Sequence, residues 1–272
     1  MAAPVFPGGA AGPVQSVRAA GCGLAAGYGK ESALRMRLTV LGCFGPFPAA
    51  GGVCSGYLVE SGETKLLLDC GSGVLKNLLR VCPLSGLTGA VISHLHMDHA
   101  SDLGVLRYAL EQSGRQLPVV APKTPAAEAA LLLDHGAFLW EPSDPARTYA
   151  FGCLTVRLFP VRHPVETYAI SVTDGEKTLL YTGDTNDCPG LAAFARGADA
   201  LLADAAFLEA EWKETLPHMS AARAARLAAE AGAKSLYLTH LPTRHAPETL
   251  AAEAKKIFPA AQAVFPGQVI AL

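Results

Sequence analysis

Four short apolar runs in this chain each lead into a histidine or an aspartate and then turn. "GAVIS" runs into "HLHMDH" (residues 94–99), "LTVRLFPV" into His163, "KTLLYTG" into Asp184 and "SLYLT" into His240. Runs of this length, rich in branched and apolar residues and bounded by turn residues, read as strands. In sheet-based folds, ligands and catalytic groups favour the carboxyl ends of strands and the loops that follow. Any one such histidine or aspartate could be an ordinary core, surface or turn residue. Repeated along the chain, the placement constrains the fold to one built on sheets with its chemistry at the strand ends.

The remaining periodicity agrees. Strands are expected at 36–43, 55–60 and 65–69, the last two joined through the hairpin signal "SGET". A helix follows at 73–81, where Val74, Leu75, Leu78, Leu79 and Cys82 form a helical stripe. After "GAVIS" come a helix at 100–112, a strand at 117–121 and an alanine-rich helix at 125–134. The second half opens with strands at 147–151, 153–160, 167–173 and 177–182. It closes with a helix at 189–195, the strand "ADALLAD", a helix at 220–231, the strand "SLYLTH", a helix at 247–257 and a strand at 268–271. Strands lead each half and helices alternate later, which suggests two packed sheets with helices outside. Residues 1–35 are rich in Ala, Gly and Pro and show no sustained period. They are expected to be a disordered tail, or the product of a start assigned upstream of Met36, which would leave one domain at 36–272.

The stretch "HLHMDH" is the densest chemical signal. In an extended chain residues i and i+2 point the same way, so His94, His96 and Asp98 are expected on one side. His99 then lies across a turn, available to a second ion. Three of the chain's eight histidines within six positions, joined by a carboxylate and no cysteine, suit zinc, with manganese or iron as alternatives.

These motifs resemble the metallo-β-lactamase superfamily. "HLHMDH" matches its H-x-H-x-D-H signature, "LLLDCGSG" with Asp69 looks like its first motif, and His163, Asp184 and His240 follow in the family's order across residues 36–272. The resemblance implies an α/β fold, the four-layer αβ/βα sandwich, with two divalent metal ions at one edge of the sheets. It implies that His94, His96 and His163 hold the first ion, that Asp98, His99 and His240 hold the second, and that Asp184 bridges them. It gives Asp69 a supporting place behind the ligands; Asp69 could equally cap the helix opening at "GSGVLKNLL".

Within the superfamily the flanks resemble the ribonuclease Z and phosphodiesterase branch. The third histidine stands in "PVRHPVETYAI" rather than in the "PGH" turn usual among lactamase-like and glyoxalase-like members, and "YTGDT" surrounds Asp184. "LPHMSAARAARLA" places His218 ahead of Ser220 at a helix start. The resemblance makes His218 a candidate general acid or phosphate contact and Asp98 the other candidate catalytic group; an ordinary turn residue beside an N-cap is the alternative for His218. Two divalent ions sharing a hydroxide can attack phosphorus or a carbonyl carbon. The expected reaction is hydrolysis of a small phosphodiester or cyclic nucleotide. Alternatives are a ribonuclease Z-like tRNA 3′ endoribonuclease and a thioester, lactone or lactam hydrolase.

Composition narrows the partners. The net charge is −2, which gives no field toward nucleic acid or an anionic membrane. Only twenty residues separate His163 from Asp184, filled by two expected strands, so the long arm of tRNA-processing relatives has no place there. Seven cysteines, an odd number without a C-x-x-C, argue against a zinc ribbon or a disulfide framework and suit a reducing cytoplasm. No apolar stretch approaches the ~20 residues of a membrane span. Many members of the resembling branch are dimers, so a homodimer is the expected assembly. Cys188 is read as a packing residue, Arg244 and His245 as possible substrate contacts or solvated loop residues, and His135 as a helix-end histidine.

Overall fold

The computed structural model of the protein describes residues 36–272, and the expectation for residues 1–35 lies outside them. The first sheet contains β1 (Arg37–Gly42), β2 (Gly56–Ser61), β3 (Thr64–Leu68), β4 (Gly89–Val91), β5 (Leu117–Ala121), β6 (Phe138–Pro142) and, at its other edge, β14 (Val269–Ala271). The second contains β7 (Thr148–Phe151), β8 (Leu154–Pro160), β9 (Tyr168–Thr173), β10 (Thr178–Tyr181), β11 (Ala200–Asp204), β12 (Leu236–Thr239) and β13 (Ala261–Ala263). Their orders are β14-β1-β2-β3-β4-β5-β6 and β13-β12-β11-β10-β9-β8-β7. Each sheet is antiparallel where hairpins join its strands, at β1–β2–β3 and β7–β8–β9–β10. Each becomes parallel where crossovers intervene, at β3–β4–β5–β6 and β10–β11–β12–β13.

The burial pattern explains why these strands read as unbroken apolar runs. In β2, Tyr57 and Val59 face the second sheet while Leu58 faces helices; in β3, Leu66 and Leu68 face inward and Leu67 outward. Successive residues alternate faces, and both faces are covered, so neither position tolerates a polar side chain. On the outer face of the first sheet lie α1 (Val74–Val81), α3 (Leu103–Ser113) and α4 (Ala126–Leu133). Outside the second sheet lie α5 (Leu191–Phe194), α6 (Ala221–Ala231) and α7 (Pro247–Lys255). The result is the expected four-layer αβ/βα sandwich, with its largest core between the sheets.

Two local expectations need correction. His94, His96 and Asp98 do not continue a strand: β4 stops at Val91, and Asp98 and His99 sit in a one-turn helix, α2 (Met97–Ala100). Its carbonyls are taken by neighbouring chain, Ser55 N–H donating to the Asp98 carbonyl at 3.1 Å and Cys70 N–H to that of His99 at 2.7 Å. Partners from two other loops thus stabilise a turn that is too short to persist alone. The helix expected at 100–112 begins only at Leu103, after Asp102 has bonded the α1 amide of Leu75 at 2.9 Å. The strands β6 and β13 fell outside the reading; "FLWEP" lies at a sheet edge and is only partly buried, so its alternation is weak.

Candidate metal centre

Every expected ligand stands just beyond a strand. His94, His96, Asp98 and His99 follow β4, His163 follows β8, Asp184 follows β10 and His240 follows β12 directly. The sheets bring these carboxyl ends to one place, and the donor atoms fall into two groups. In the first, His94 Nε2 and His163 Nε2 each approach His96 Nδ1 to 3.1 Å. In the second, His99 Nε2 lies 3.5 Å from Asp98 Oδ2 and 3.2 Å from Asp184 Oδ1, and His240 Nδ1 lies 3.0 Å from Asp184 Oδ1. Asp184 belongs to both, because its other oxygen, Oδ2, lies 3.6 Å from His94 Nε2.

A second ring of groups chooses which imidazole nitrogen faces inward. Asp69 is fully buried and its Oδ2 lies 2.7 Å from His99 Nδ1. It also accepts the Ser93 N–H at 2.7 Å, the Ser93 hydroxyl at 2.8 Å and the Tyr181 hydroxyl at 2.7 Å. With the Nδ1 proton on Asp69, the Nε2 lone pair of His99 is free for an ion. The helix-cap role for Asp69 does not hold, since Gly73 occupies the cap position of α1. The Pro217 carbonyl does for His163 Nδ1, at 3.2 Å, what Asp69 does for His99.

The backbone is shaped for this. Asp69 (φ 56°) and His240 (φ 52°) are the only non-glycine residues in the left-handed region among the described residues. Such conformations cost free energy and gather at functional sites. Two glycines admit the ligands: a Cβ on Gly71 would fall 1.9 Å from the Asp98 carbonyl oxygen, and one on Gly45 would fall 2.0 Å from the His240 ring.

The donor set fits divalent cations. Burial pushes His94 and His96 below the usual imidazole range and His163 down to about 4, which leaves neutral rings with lone pairs to give. Burial opposes ionisation of Asp98 and Asp184, yet the surrounding imidazoles hold both carboxyls below the usual range. Around His99 burial disfavours charge, but Asp184 and Asp69 outweigh it and draw a positive charge to that position. A cation meets the same demand. Asp98 Oδ2 and Asp184 Oδ1 are buried without a hydrogen-bond donor among the described residues, as ligand atoms awaiting a metal would be. Among the described residues, three sets of side chains have ligand atoms close enough to share an ion: His94–His96–His163, Asp98–His99–Asp184–His240 and His163–Asp184–His218.

His218 stands beside these groups, its ring stacked on His240 with centroids 4.6 Å apart. Its Nδ1 lies 2.7 Å from Oδ2 of Asp204, a fully buried residue that ends β11. Burial works against a charged ring, but Asp204 and Asp184 more than offset it and raise the His218 pKa to about 9. The reading of the sequence missed Asp204, although it closes the apolar run "ADALLAD" as Asp184 closes its own. A cavity of about 350 Å³ opens over the centre, lined by His96, Asp98, His163, Asp184, His218 and His240 with Pro46, Met97, Pro164 and Pro217 at its sides. No lysine or arginine is among these lining residues.

The remaining candidates serve elsewhere. Arg244 bonds the Ala206 carbonyl at 2.7 Å and lies over Phe207, and His245 Nε2 lies 2.8 Å from Glu211, so neither lines the cavity. Cys188 packs half-buried against the core. His135 sits within 2.8 Å of the Leu131 carbonyl at the end of α4, as expected of a helix-end histidine. No helix among the described residues is long and apolar enough to cross a membrane.

Residues 64–241 match the beta-lactamase superfamily domain. The chain is 35% identical over 232 residues to the Probable metallo-hydrolase YhfI of Bacillus subtilis, a match covering 82% of this chain and 94% of that one. The crystal structure of the YhfI protein, described as a metallo-beta-lactamase fold protein, superposes with a TM-score of 0.82 at 34% identity, covering 86% of this chain and 99% of that one. A Ribonuclease Z of Bradyrhizobium is 26% identical over 269 residues, covering 75% of this chain and 89% of its own.

Proposed function

From the premise that the chain belongs to the beta-lactamase superfamily, we propose that it is a dinuclear metal-dependent phosphodiesterase acting on a small phosphodiester, with cyclic nucleotides the leading class. The observation that carries the reading is Asp184, whose two oxygens address two separate donor groups while His218 waits beside it on Asp204. His94, His96 and His163 would hold one ion, Asp98, His99 and His240 the other, and Asp184 both. Bound there, a pair of divalent ions, zinc first among them, supplies positive charge to a phosphate oxygen and brings the pKa of water from 15.7 towards about 7.

The protein's own groups supply the rest. Asp98 is ionised and lines the cavity, so it can orient the attacking water and take its proton. Asp204 accepts from Nδ1 of His218 and, with Asp184, favours the doubly protonated ring, whose Nε2 proton can go to the leaving oxygen. Pro46, Pro164 and Pro217 give the cavity firm sides, and it stays open to solvent above the reacting centre.

Two features favour a small substrate over tRNA. The span between His163 and Asp184 is the hairpin of β9 and β10, with no arm inserted among the described residues. The cavity lining carries no guanidinium or ammonium group to follow a polyanion. The similarity to a Ribonuclease Z keeps tRNA 3′ processing as the second reading.

The test is hydrolysis of bis(p-nitrophenyl) phosphate and of cyclic nucleotides by protein loaded with zinc or manganese, beside a thioester and lactone panel. Turnover of phosphodiesters that disappears in His94→Ala is expected. Protein carrying two equivalents of metal that cleaves only the esters, or nothing, would overturn the reading.

A further inference from the structure

The segment that carries His218, residues 214–218, has no regular secondary structure of its own. A loop of that kind cannot hold an imidazole to a fraction of an ångström unless its carbonyls are tied down. Four of its five carbonyls, those of 214, 216, 217 and 218, are tied. The Glu214 carbonyl accepts from Asn186 Nδ2 at 3.2 Å and from Arg162 at 3.0 Å, and the Leu216 carbonyl accepts from Asn186 Nδ2 at 2.5 Å. The Pro217 carbonyl faces His163 Nδ1, and the His218 carbonyl accepts from Trp212 Nε1 at 3.1 Å. Trp212 Nε1 also donates to Asn186 Oδ1 at 3.1 Å, and the guanidinium of Arg223 lies across the Trp212 ring.

Asn186 is therefore the hub. It is fully buried, and both of its amide hydrogens and both acceptor sites of its oxygen are used, the last by the Asp187 N–H at 2.6 Å. Its place in the chain gives this meaning. In three successive residues, Asp184 faces the ligand groups, Thr185 N–H donates to Asp204 Oδ2 at 3.0 Å, and Asn186 holds the loop of His218. One tripeptide thus sets the distance between the bridging carboxylate and the proton-bearing ring.

We infer that Asn186, through Trp212 and the carbonyls of 214–218, is a positioning residue that holds His218 against Asp184 and Asp204. In its kinetic part the inference rests on the phosphodiesterase reading. Asn186 touches none of the candidate ligands and lines no part of the cavity, so its loss removes no ligand atom, although the loop it holds meets the ligand His163 through the Pro217 carbonyl.

The experiment compares full-length, metal-loaded wild type with Asn186→Ala, Trp212→Phe, His218→Ala and the Asn186→Ala/His218→Ala double variant. The first measurement is backbone hydrogen exchange by mass spectrometry. Asn186→Ala should raise exchange in peptides covering 212–219 by about tenfold or more, with exchange in β1–β3 and the metal content unchanged. The second is kinetic, with phosphodiesters of graded leaving-group pKa. The kcat should fall by about 10- to 100-fold with KM unchanged, most for alkyl leaving groups and least for p-nitrophenolate. The double variant should be no slower than His218→Ala alone, since the two act through one group.

Unchanged exchange in 212–219 overturns the inference. So does a loss that is equal for all leaving groups and multiplies with that of His218→Ala. If wild type cleaves no phosphodiester, the functional reading falls while the exchange result still decides the role of Asn186. Trp212→Phe, which removes the indole N–H and part of the ring from a half-buried site, carries both measurements with smaller effects should Asn186→Ala fail to fold.

Discussion

Replacing Asp69 with asparagine keeps the shape of the residue and alters only what it can accept. In wild type, Asp69 Oδ2 meets three partners, the hydroxyls of Ser93 and Tyr181 and the Nδ1 of His99, while Oδ1 takes the Ser93 N–H. The backbone donor at Oδ1 cannot reverse, so the amide oxygen of the variant must stay there and the new NH₂ must face the other three. Its two protons can serve at most two of the three; both hydroxyls can rotate to accept, and in no arrangement does the NH₂ accept the His99 Nδ1 proton as the carboxylate did. His99 can accept on Nδ1 only by moving its proton to Nε2, the nitrogen 3.2 Å from Asp184 Oδ1. That proton occupies the lone pair meant for an ion. Loss of such outer partners costs about 10- to 100-fold in metal affinity, or about 1.4–2.8 kcal/mol. The fold should be little affected. Asp69→Ala differs, because it strands the Ser93 N–H in a buried place and leaves the Tyr181 hydroxyl and His99 Nδ1 only each other, at 3.4 Å, while the Ser93 hydroxyl can turn to His94 Nδ1 at 3.0 Å. One orphaned group and one weakened pair, at about 1–3 kcal/mol each, cost about 2–5 kcal/mol, or about 4–20 °C in Tm. Competition with a chromogenic chelator reads the first effect and a thermal melt the second. An Asp69→Asn protein that binds two equivalents of zinc as tightly as wild type would refute the tautomer argument.

Three further outcomes are expected. Stripping divalent ions with a chelator should abolish hydrolysis and lower Tm by about 5–10 °C, since a ligand at 100 times its Kd adds about 2.7 kcal/mol; an unchanged melt would count against a built metal centre. Gly71→Ala places a methyl where the Asp98 carbonyl now sits, 1.9 Å away, so α2 must shift, and a displacement near 1 Å should lower kcat/KM by about 100-fold, which activity at saturating metal will show. Asp204→Asn removes the carboxylate that, against the penalty of burial, raises the His218 pKa. The proton-bearing ring exists below that pKa and is lost as pH rises through it, so the alkaline limb of the kcat profile should move to lower pH by about 1–3 units. A limb that stays in place would remove His218 as the proton donor.

The elements of regular structure were readable because buried strands and amphipathic helices leave periodic apolar patterns. The runs ending in Asp184 and His240 became β10 and β12 within a residue or two of the expected bounds. The weak strand β6 and the three-residue β13 were not readable, because neither buries enough of itself to impose a pattern. The one-turn helix α2 was misread as extended chain for a different reason. Its hydrogen-bond partners, Ser55 and Cys70, lie in loops distant in sequence, and no local signal announces them.

Residue chemistry and order along the chain already named the groups able to bind metal, since only certain side chains can ligate and only strand ends free them from the sheet. Which groups stand together was a matter of three-dimensional arrangement, which sets Asp98 apart from His94 and His96, its neighbours in the chain, and gathers it with His99 at 3.5 Å, His240 at 4.0 Å and Asp184. The same holds for the partnership of Asp204 with His218 and for Asn186 behind the loop. Hydrogen bonds between such segments depend on how two sheets pack, and packing leaves its trace in distances rather than in periodicity.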